Sequence, residues 1–255
     1  MKREKSVIWL HKDPLLSKKI IYLIPSPLSD TAKEGLLSPL SSEIIKTTQY
    51  FFVENLRTAR RFISSLKLGI PIESLWMSEL NKDTAIGDIK GLLREIPENV
   101  EHIGVLSEAG CPGIADPGAK LVALGHTTGW QIVPLPGPSS LFLALMGSGF
   151  NGQQFTFHGY LPIKQEERIK AIRKIEEEVQ RKGHTHLFIE TPYRNLALLG
   201  DLVSTLQSET LICIASNLTS TDEIISTQKA HYWKNNIPNI HKIPTIFLLG
   251  KFDSE

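Results

Sequence analysis

The chain has 255 residues, 41% hydrophobic and 22% charged, with a formal net charge of +1. That length suits one large or two small globular domains, and the near-neutral balance excludes a protein that coats nucleic acid through many phosphate contacts while leaving room for a local basic patch. Two cysteines, Cys111 and Cys213, are too few for a disulfide framework.

The apolar run Val7–Leu10 is too short for a signal peptide and Leu141–Met146 too short to span a bilayer, so a cytoplasmic protein with no membrane segment is expected. Residues 1–19 read as a polar extension. Ile20–Ile24 is a buried-type strand stopped by Pro25-Ser26-Pro27. Tyr50–Val53 is a second strand, followed by a helix over Asn55–Leu66 with Leu56, Ala59, Phe62, Ile63 and Leu66 on one face. A loop at Gly69–Pro71, a short strand near Leu75–Met77 and a short helix over Asp88–Glu95 come next. Strand Ile103–Leu106 enters a glycine- and proline-rich segment, and helix Ala119–His126 leaves it. This alternation predicts an α/β protein with a mainly parallel first sheet covered on both faces.

Residues 131–138, with three prolines and a glycine, read as a stiff connection that divides a first domain, 20–133, from a second, 134–255. Ser139 is placed as N-cap of a helix over Leu141–Met146. Strands are predicted at Phe155–Phe157, Leu187–Glu190, Leu211–Ala215 and Thr245–Leu249, and helices at Glu166–Lys182 and Leu196–Leu206. Ile169, Ile172, Ile175 and Val179 make one stripe on the first of these helices. Several strands with fewer helices between them predict a mixed sheet in the second domain.

The segment Ser107–Gly118, Ser-Glu-Ala-Gly-Cys-Pro-Gly-Ile-Ala-Asp-Pro-Gly, is the most informative stretch. Glycine lets backbone approach a ligand and proline stiffens the loop, and in open α/β sheets ligands sit at the carboxyl ends of strands. It reads as a ligand loop bearing Glu108 and Asp116, against the alternative of a tight structural turn. No Gly-x-Gly-x-x-Gly or Walker sequence is present, so the ligand is held by some other geometry. Glu54, Arg57, Arg60 and Arg61 lie at the strand-to-helix junction, where the arginines suit phosphate or carboxylate, or else make a solvated face. Glu190-Thr191-Pro192-Tyr193-Arg194 is a second junction, with Glu190 and Arg194 as candidates for ion pairing or substrate contact. His184 and His186 lack further ligands at metal spacing, so no metal site is expected. Cys111 reads as a small residue in a tight turn and Cys213 as core.

Taken together these segments resemble the tetrapyrrole methylase superfamily, and within it the branch of small-subunit ribosomal RNA methyltransferases. Ile24–Pro27 is similar to its Pro-Thr-Pro strand end, Glu54–Arg60 to its Glu-Asp-Thr-Arg-His-Thr-Arg helix start, and Glu108–Gly118 to its Asp-Ala-Gly-Thr-Pro-Gly-Ile-Ser-Asp-Pro-Gly loop. Pro134–Ser139 matches Pro-Leu-Pro-Gly-Pro-Ser, Phe157–Pro162 resembles Phe-x-Gly-Phe-Leu-Pro, and Glu190–Arg194 resembles Glu-Ser-Pro-His-Arg. Three stretches depart from the pattern. Asn55 replaces an Asp, Ser78–Asn81 lacks two histidines, and Ser216-Asn217-Leu218-Thr219 lacks the Arg and Glu of Arg-Glu-Leu-Thr.

The resemblance implies a two-domain fold of this superfamily, homodimeric, with S-adenosylmethionine in the cleft between domains. Carried over by motif, the cofactor residues are Glu108, Ala109, Gly110, Ile114, Asp116, Ser139, Ser140, Asn217, Leu218, Pro244 and Thr245. Glu54, Asp116 and Glu190 are the candidate general bases, and Arg57, Arg60 and Arg194 the candidate substrate contacts. The expected activity is methyl transfer to ribosomal RNA in the small subunit, at a ribose 2′-hydroxyl. Two alternatives remain open, a methyltransferase acting on a small molecule such as a tetrapyrrole, and a paralogue that binds cofactor or RNA without turnover.

Overall fold

A computed structural model of the chain describes residues 19–29, 31, 35 and 37–252, so the extension assigned to residues 1–19 lies, Lys19 apart, outside the described residues. Contacts divide the described chain into two compact units. The first holds residues 19–24, 39–108 and 112–135; the second holds the described residues of 25–38, 109–111 and 136–252.

The first unit follows the chain as β1 (Ile20–Ile24), α1 (Pro39–Thr47), β2 (Tyr50–Val53), α2 (Leu56–Ser65), β3 (Trp76–Glu79), α3 (Ile86–Glu95), β4 (His102–Leu106), α4 (Gly118–Thr127) and β5 (Gln131–Pro134). All strand pairs are parallel, in the order β3-β2-β4-β1-β5. A parallel sheet covered by helices needs apolar side chains on both faces, and Phe51, Phe52 and Val53 of β2 are fully buried in succession. Ile21, Phe52, Ile103 and Val105 pack with Ile89 of α3 and Leu121 of α4 in one cluster. The segment 131–134 is a strand rather than a connection. Pro134 disguised it, but β5 is an edge strand, where this proline forfeits no ladder donor.

The second unit contains α5 (Ser140–Ser148), β6 (Phe155–Tyr160), α6 (Gln165–Lys182), β7 (Thr185–Ile189), α7 (Asn195–Thr205), β8 (Leu211–Ser216), β9 (Ile224–Lys229), α8 (Ala230–Asn235) and β10 (Thr245–Gly250). Its sheet runs β6-β7-β10-β8-β9, with β6 parallel to β7 and the other pairs antiparallel. The period-two alternation of strands splits its core in two. Phe188, Ile212, Ile214, Phe247 and Leu249 face α6, α7 and α8, whereas Leu187, Cys213, Ala215, Ile246 and Leu248 face α5. The fold is thus α/β, with a parallel five-stranded sheet and a mixed second sheet, as the sequence predicts.

Of the predicted stripe, helix α6 buries Ile172, Ile175 and Val179 and leaves Ile169 half-buried at its first turns, and it also buries Arg168 and Glu176. Both charges are satisfied. Arg168 pairs with Asp201 at 2.5 Å and donates to the carbonyls of Pro162 and Ile163, and Glu176 accepts from Thr210 Oγ1 and the Gln207 backbone. Among the described residues no helix is long and apolar enough to cross a membrane.

Candidate functional site

In the first sheet β2 and β4 are neighbours, but the chain leaves β2 toward β3 on one side and β4 toward β5 on the other. Such a point of divergence opens a crevice at the carboxyl ends of the strands. Two sequence-predicted segments meet there. Glu54 follows β2, and its backbone N–H donates to Leu106 of β4 at 3.0 Å. The Glu54 carboxylate accepts from the backbone N–H of Glu108 at 2.9 Å, and Thr58 Oγ1 approaches Glu108 Oε1 at 3.4 Å. Asp116 folds the loop on itself, since its Oδ1 accepts from the backbone N–H of both Gly113, at 2.7 Å, and Gly118, at 2.6 Å. Gly113 and Ala115 take positive φ there, 84° and 55°. Ile114, between them, is 53% exposed. The Glu54 pKa is raised, by burial first and then by the Asp116 and Glu108 carboxylates, against the lowering effect of the Glu108 backbone N–H.

Residues 109–111 belong to the second unit. Gly110, at φ 73°, exchanges backbone hydrogen bonds with Ser26 at 2.9 and 3.0 Å. A Cβ on Gly110 would lie 3.1 Å from Leu28, and one on Gly137 only 2.3 Å from Pro25. The Pro25–Leu28, Ala109–Cys111 and Pro136–Ser139 segments are therefore in close contact, which is why the two prolyl motifs carry glycines. Ser139 is the N-cap residue of α5, as its position predicts, with its carbonyl accepting from Leu143; its side chain makes no capping bond.

After β8 the backbone is strained. Asn217 and Thr219 take φ 51° and 72°, and for a β-branched residue such as Thr219 that is a conformational outlier. The Thr219 hydroxyl is buried without a protein partner, while its backbone N–H donates to Glu223 at 2.6 Å. Asn217 N–H donates to the carbonyl of Pro244 at 2.9 Å, which joins the two turns predicted at 217–218 and 244–245. Asn195, fully buried, braces the second turn with its side-chain amide on the carbonyls of Ile240 and Ile243 and on Thr245 Oγ1. Leu218 is core, packed with Leu28, Leu141 and Ile246.

The structure sorts the remaining candidates. Glu190 is buried, with Oε1 engaged by Arg194 at 2.5 and 3.1 Å and by the Thr191 backbone N–H. That ion pair is the one its spacing suggests. Arg57, Arg60 and Arg61 lie on the exposed side of α2. Cys111 donates its thiol to the Pro138 carbonyl at 3.4 Å and burial raises its pKa, the profile of an unactivated thiol. His186 finds a partner the sequence hid. His158 Nε2 lies 2.8 Å from His186 Nδ1, across the β6–β7 pair.

No family model matches the chain. Among curated proteins it is 31% identical over 212 residues to ribosomal RNA small subunit methyltransferase I of Buchnera aphidicola subsp. Baizongia pistaciae, covering 83% of this chain and 68% of that one. It belongs to the ribosomal RNA small subunit methyltransferase I family. The Xylella fastidiosa member is 30% identical over 205 residues, with 80% and 70% covered, and the Synechocystis member 28% over 204, with 80% and 68% covered. The solved methyltransferase CobJ shares the fold, with a TM-score of 0.60 over 92% of this chain and 94% of that one at 17% identity.

The chain is a methyltransferase of this family, and the first of its departures from the family pattern has a physical explanation. Asn55 caps α2, its side chain accepting from the Thr58 backbone N–H at 3.1 Å, a task in which Asn and Asp are equivalent. Thr219, Asn195 and Thr58 lie at these candidate loops and were passed over in reading the sequence. Thr58 and Thr219 carried a signal, lying inside the matched Glu54–Arg60 and Ser216–Thr219 stretches, and Asn195 carried none.

Proposed function

We propose that the protein transfers a methyl group from S-adenosylmethionine to a ribose 2′-hydroxyl of ribosomal RNA in the small subunit. The observation that carries the reading is the glycine-rich loop after β4, folded on Asp116 at the point where β2 and β4 diverge, in a chain of this family. The donor residues of the proposal are Glu108, Ala109, Gly110, Ile114 and Asp116 in that loop, Ser139 and Ser140 at the start of α5, and Asn217, Leu218, Pro244 and Thr245, with Thr219 added. An unpartnered buried hydroxyl on a strained backbone fits a ligand that supplies the missing hydrogen bond.

The donor supplies a methyl group on a sulfonium, already electrophilic, so the protein aligns the acceptor and excludes water. The acceptor hydroxyl loses its proton during attack. Glu54 is the base in this proposal, because its raised pKa brings its proton affinity toward the working pH. Asp116 and Glu190 become positioning groups, their oxygens being held by backbone N–H groups and by Arg194. Arg57, Arg60 and Arg194 serve the phosphate backbone. The proposal includes a cytoplasmic homodimer. Phe142 and Met146, 58% and 79% exposed on one face of α5 beside Phe155, supply an apolar surface for a second copy.

The test is incubation of the purified chain and labelled S-adenosylmethionine with small subunits from a strain lacking its gene. Label in the ribosomal RNA supports the reading. Label confined to a porphyrinoid, or no binding of the donor by calorimetry, contradicts it.

A further inference from the structure

Tyr193 is 71% exposed, in a short 3-10 turn, Pro192–Arg194, between β7 and α7. An exposed aromatic ring offers a π-face on which a flat group can stack. Its neighbours are cationic or titratable. Lys242 Nζ lies 5.5 Å from the ring centroid, and the His241 ring meets its edge at 6.5 Å and 85°. Both neighbours are exposed. The two segments are held together by the Lys242 backbone N–H donating to the Pro192 carbonyl at 3.0 Å. They are also anchored from beneath, since Asn195, two residues past Tyr193, holds the carbonyls of Ile240 and Ile243 on either side of the pair.

Lys242 itself has φ 61°, a conformation that glycine or asparagine adopts at lower cost. The turn places the Lys242 ammonium within cation–π range of the exposed ring.

We propose that Tyr193, His241 and Lys242 form a nucleotide platform, with an unpaired base stacked on Tyr193 and the adjoining phosphate on Lys242. A π-face beside a cation matches a nucleobase carrying its phosphate, and base stacking on an aromatic ring is tolerant of sequence. The platform ends two residues before Pro244 and Thr245, the turn proposed to border the methyl donor, and Asn195 braces both. It therefore holds the target nucleotide or an immediate neighbour. The inference rests on the reading of ribosomal RNA as acceptor.

The test measures methyl transfer to small subunits lacking the modification, donor affinity by calorimetry, and binding to deproteinised ribosomal RNA, for wild type, Y193F, Y193A and K242G. Y193A is expected to raise KM for the subunit by tenfold or more, with Y193F near wild type and donor affinity unchanged. K242G relieves the turn, so it folds at least as well, and it lowers the slope of log affinity against log salt by about one. Wild-type transfer with KM and salt slope unchanged in Y193A and K242G overturns the platform and leaves the acceptor reading standing. Loss of donor affinity in Y193A makes the ring structural and overturns it too. Weakened binding to intact subunits with full binding to bare RNA assigns the ring to a ribosomal protein and overturns it likewise. No transfer to the subunits by wild type overturns the acceptor reading itself.

Discussion

The carboxylate of Glu54 accepts the backbone N–H of Glu108 at 2.9 Å, and this bond joins the end of β2 to the loop after β4. Glu54 also sits beside the carboxylates of Asp116 and Glu108, which with burial raise its pKa. A carboxyl that holds its proton more tightly folded than unfolded stabilises the fold at low pH, and that contribution is lost as pH rises through the folded pKa. In E54Q the amide oxygen still accepts from Glu108, and the pH-dependent loss disappears. Thermal melts of the two proteins from pH 4.5 to 8 are expected to diverge in favour of E54Q as pH rises. If Glu54 is the base, methyl transfer in E54Q falls by about 10²- to 10⁴-fold at unchanged donor affinity. Parallel melting curves together with full activity would remove Glu54 from both roles.

Asp116 holds two backbone N–H groups on one oxygen. Hydrogen bonds to a charged group contribute about 1.5–3 kcal/mol each, so D116A is expected to lose about 3 kcal/mol of stability and to bind the donor more weakly. D116N, which keeps an acceptor, loses less. Denaturant midpoints and calorimetry read the two effects, and a D116A protein as stable as wild type would mean that the loop is held by other contacts.

Thr219 sets stability against binding. Glycine at this position relieves a φ of 72° and removes a buried hydroxyl without a protein partner. T219G is expected to gain about 1 kcal/mol of stability while losing donor affinity. A variant that gains stability and keeps full affinity would show that the hydroxyl has no ligand to serve.

Much of this architecture was legible in the sequence. Ile20–Ile24, Tyr50–Val53 and Ile103–Leu106 are apolar runs of strand length, and the stripe Ile172, Ile175 and Val179 has helical period. Edges were harder to read. β9 reads Ile-Ile-Ser-Thr-Gln-Lys, too polar to register as a strand, yet it pairs with β8 over six residues. β5 was hidden by Pro134. In the site, the chain's punctuation located the loops, because glycine and proline restrict the backbone locally. The partners of those loops were not legible. Nothing near Thr245 in sequence points to Asn195, fifty residues away, and nothing near His186 points to His158.

That histidine pair gives a pH prediction of opposite sign. Burial first, then His158, lower the pKa of His186 to about 4, with Glu178 opposing and His184 and Lys182 adding to the shift. Two ring nitrogens 2.8 Å apart share one proton and repel a second. The stabilising contribution of neutral His186 is complete above the unfolded pKa of 6.5 and is lost as pH falls toward 4. Melts of wild type and H186Q between pH 4 and 7.5 check this. The wild-type curve should fall more steeply toward acid, and equal slopes would contradict it.

Methyl transfer by this chain to a ribose oxygen of small-subunit ribosomal RNA is the proposal on which the other roles depend. Nucleoside mass spectrometry tests it most directly, applied to small subunits from a gene-deleted strain before and after incubation with the purified protein and deuterated-methyl S-adenosylmethionine. One new nucleoside carrying the heavy methyl on its ribose is expected. A heavy methyl on a base, or ribosomal RNA left unlabelled by a protein that binds the donor, would contradict it.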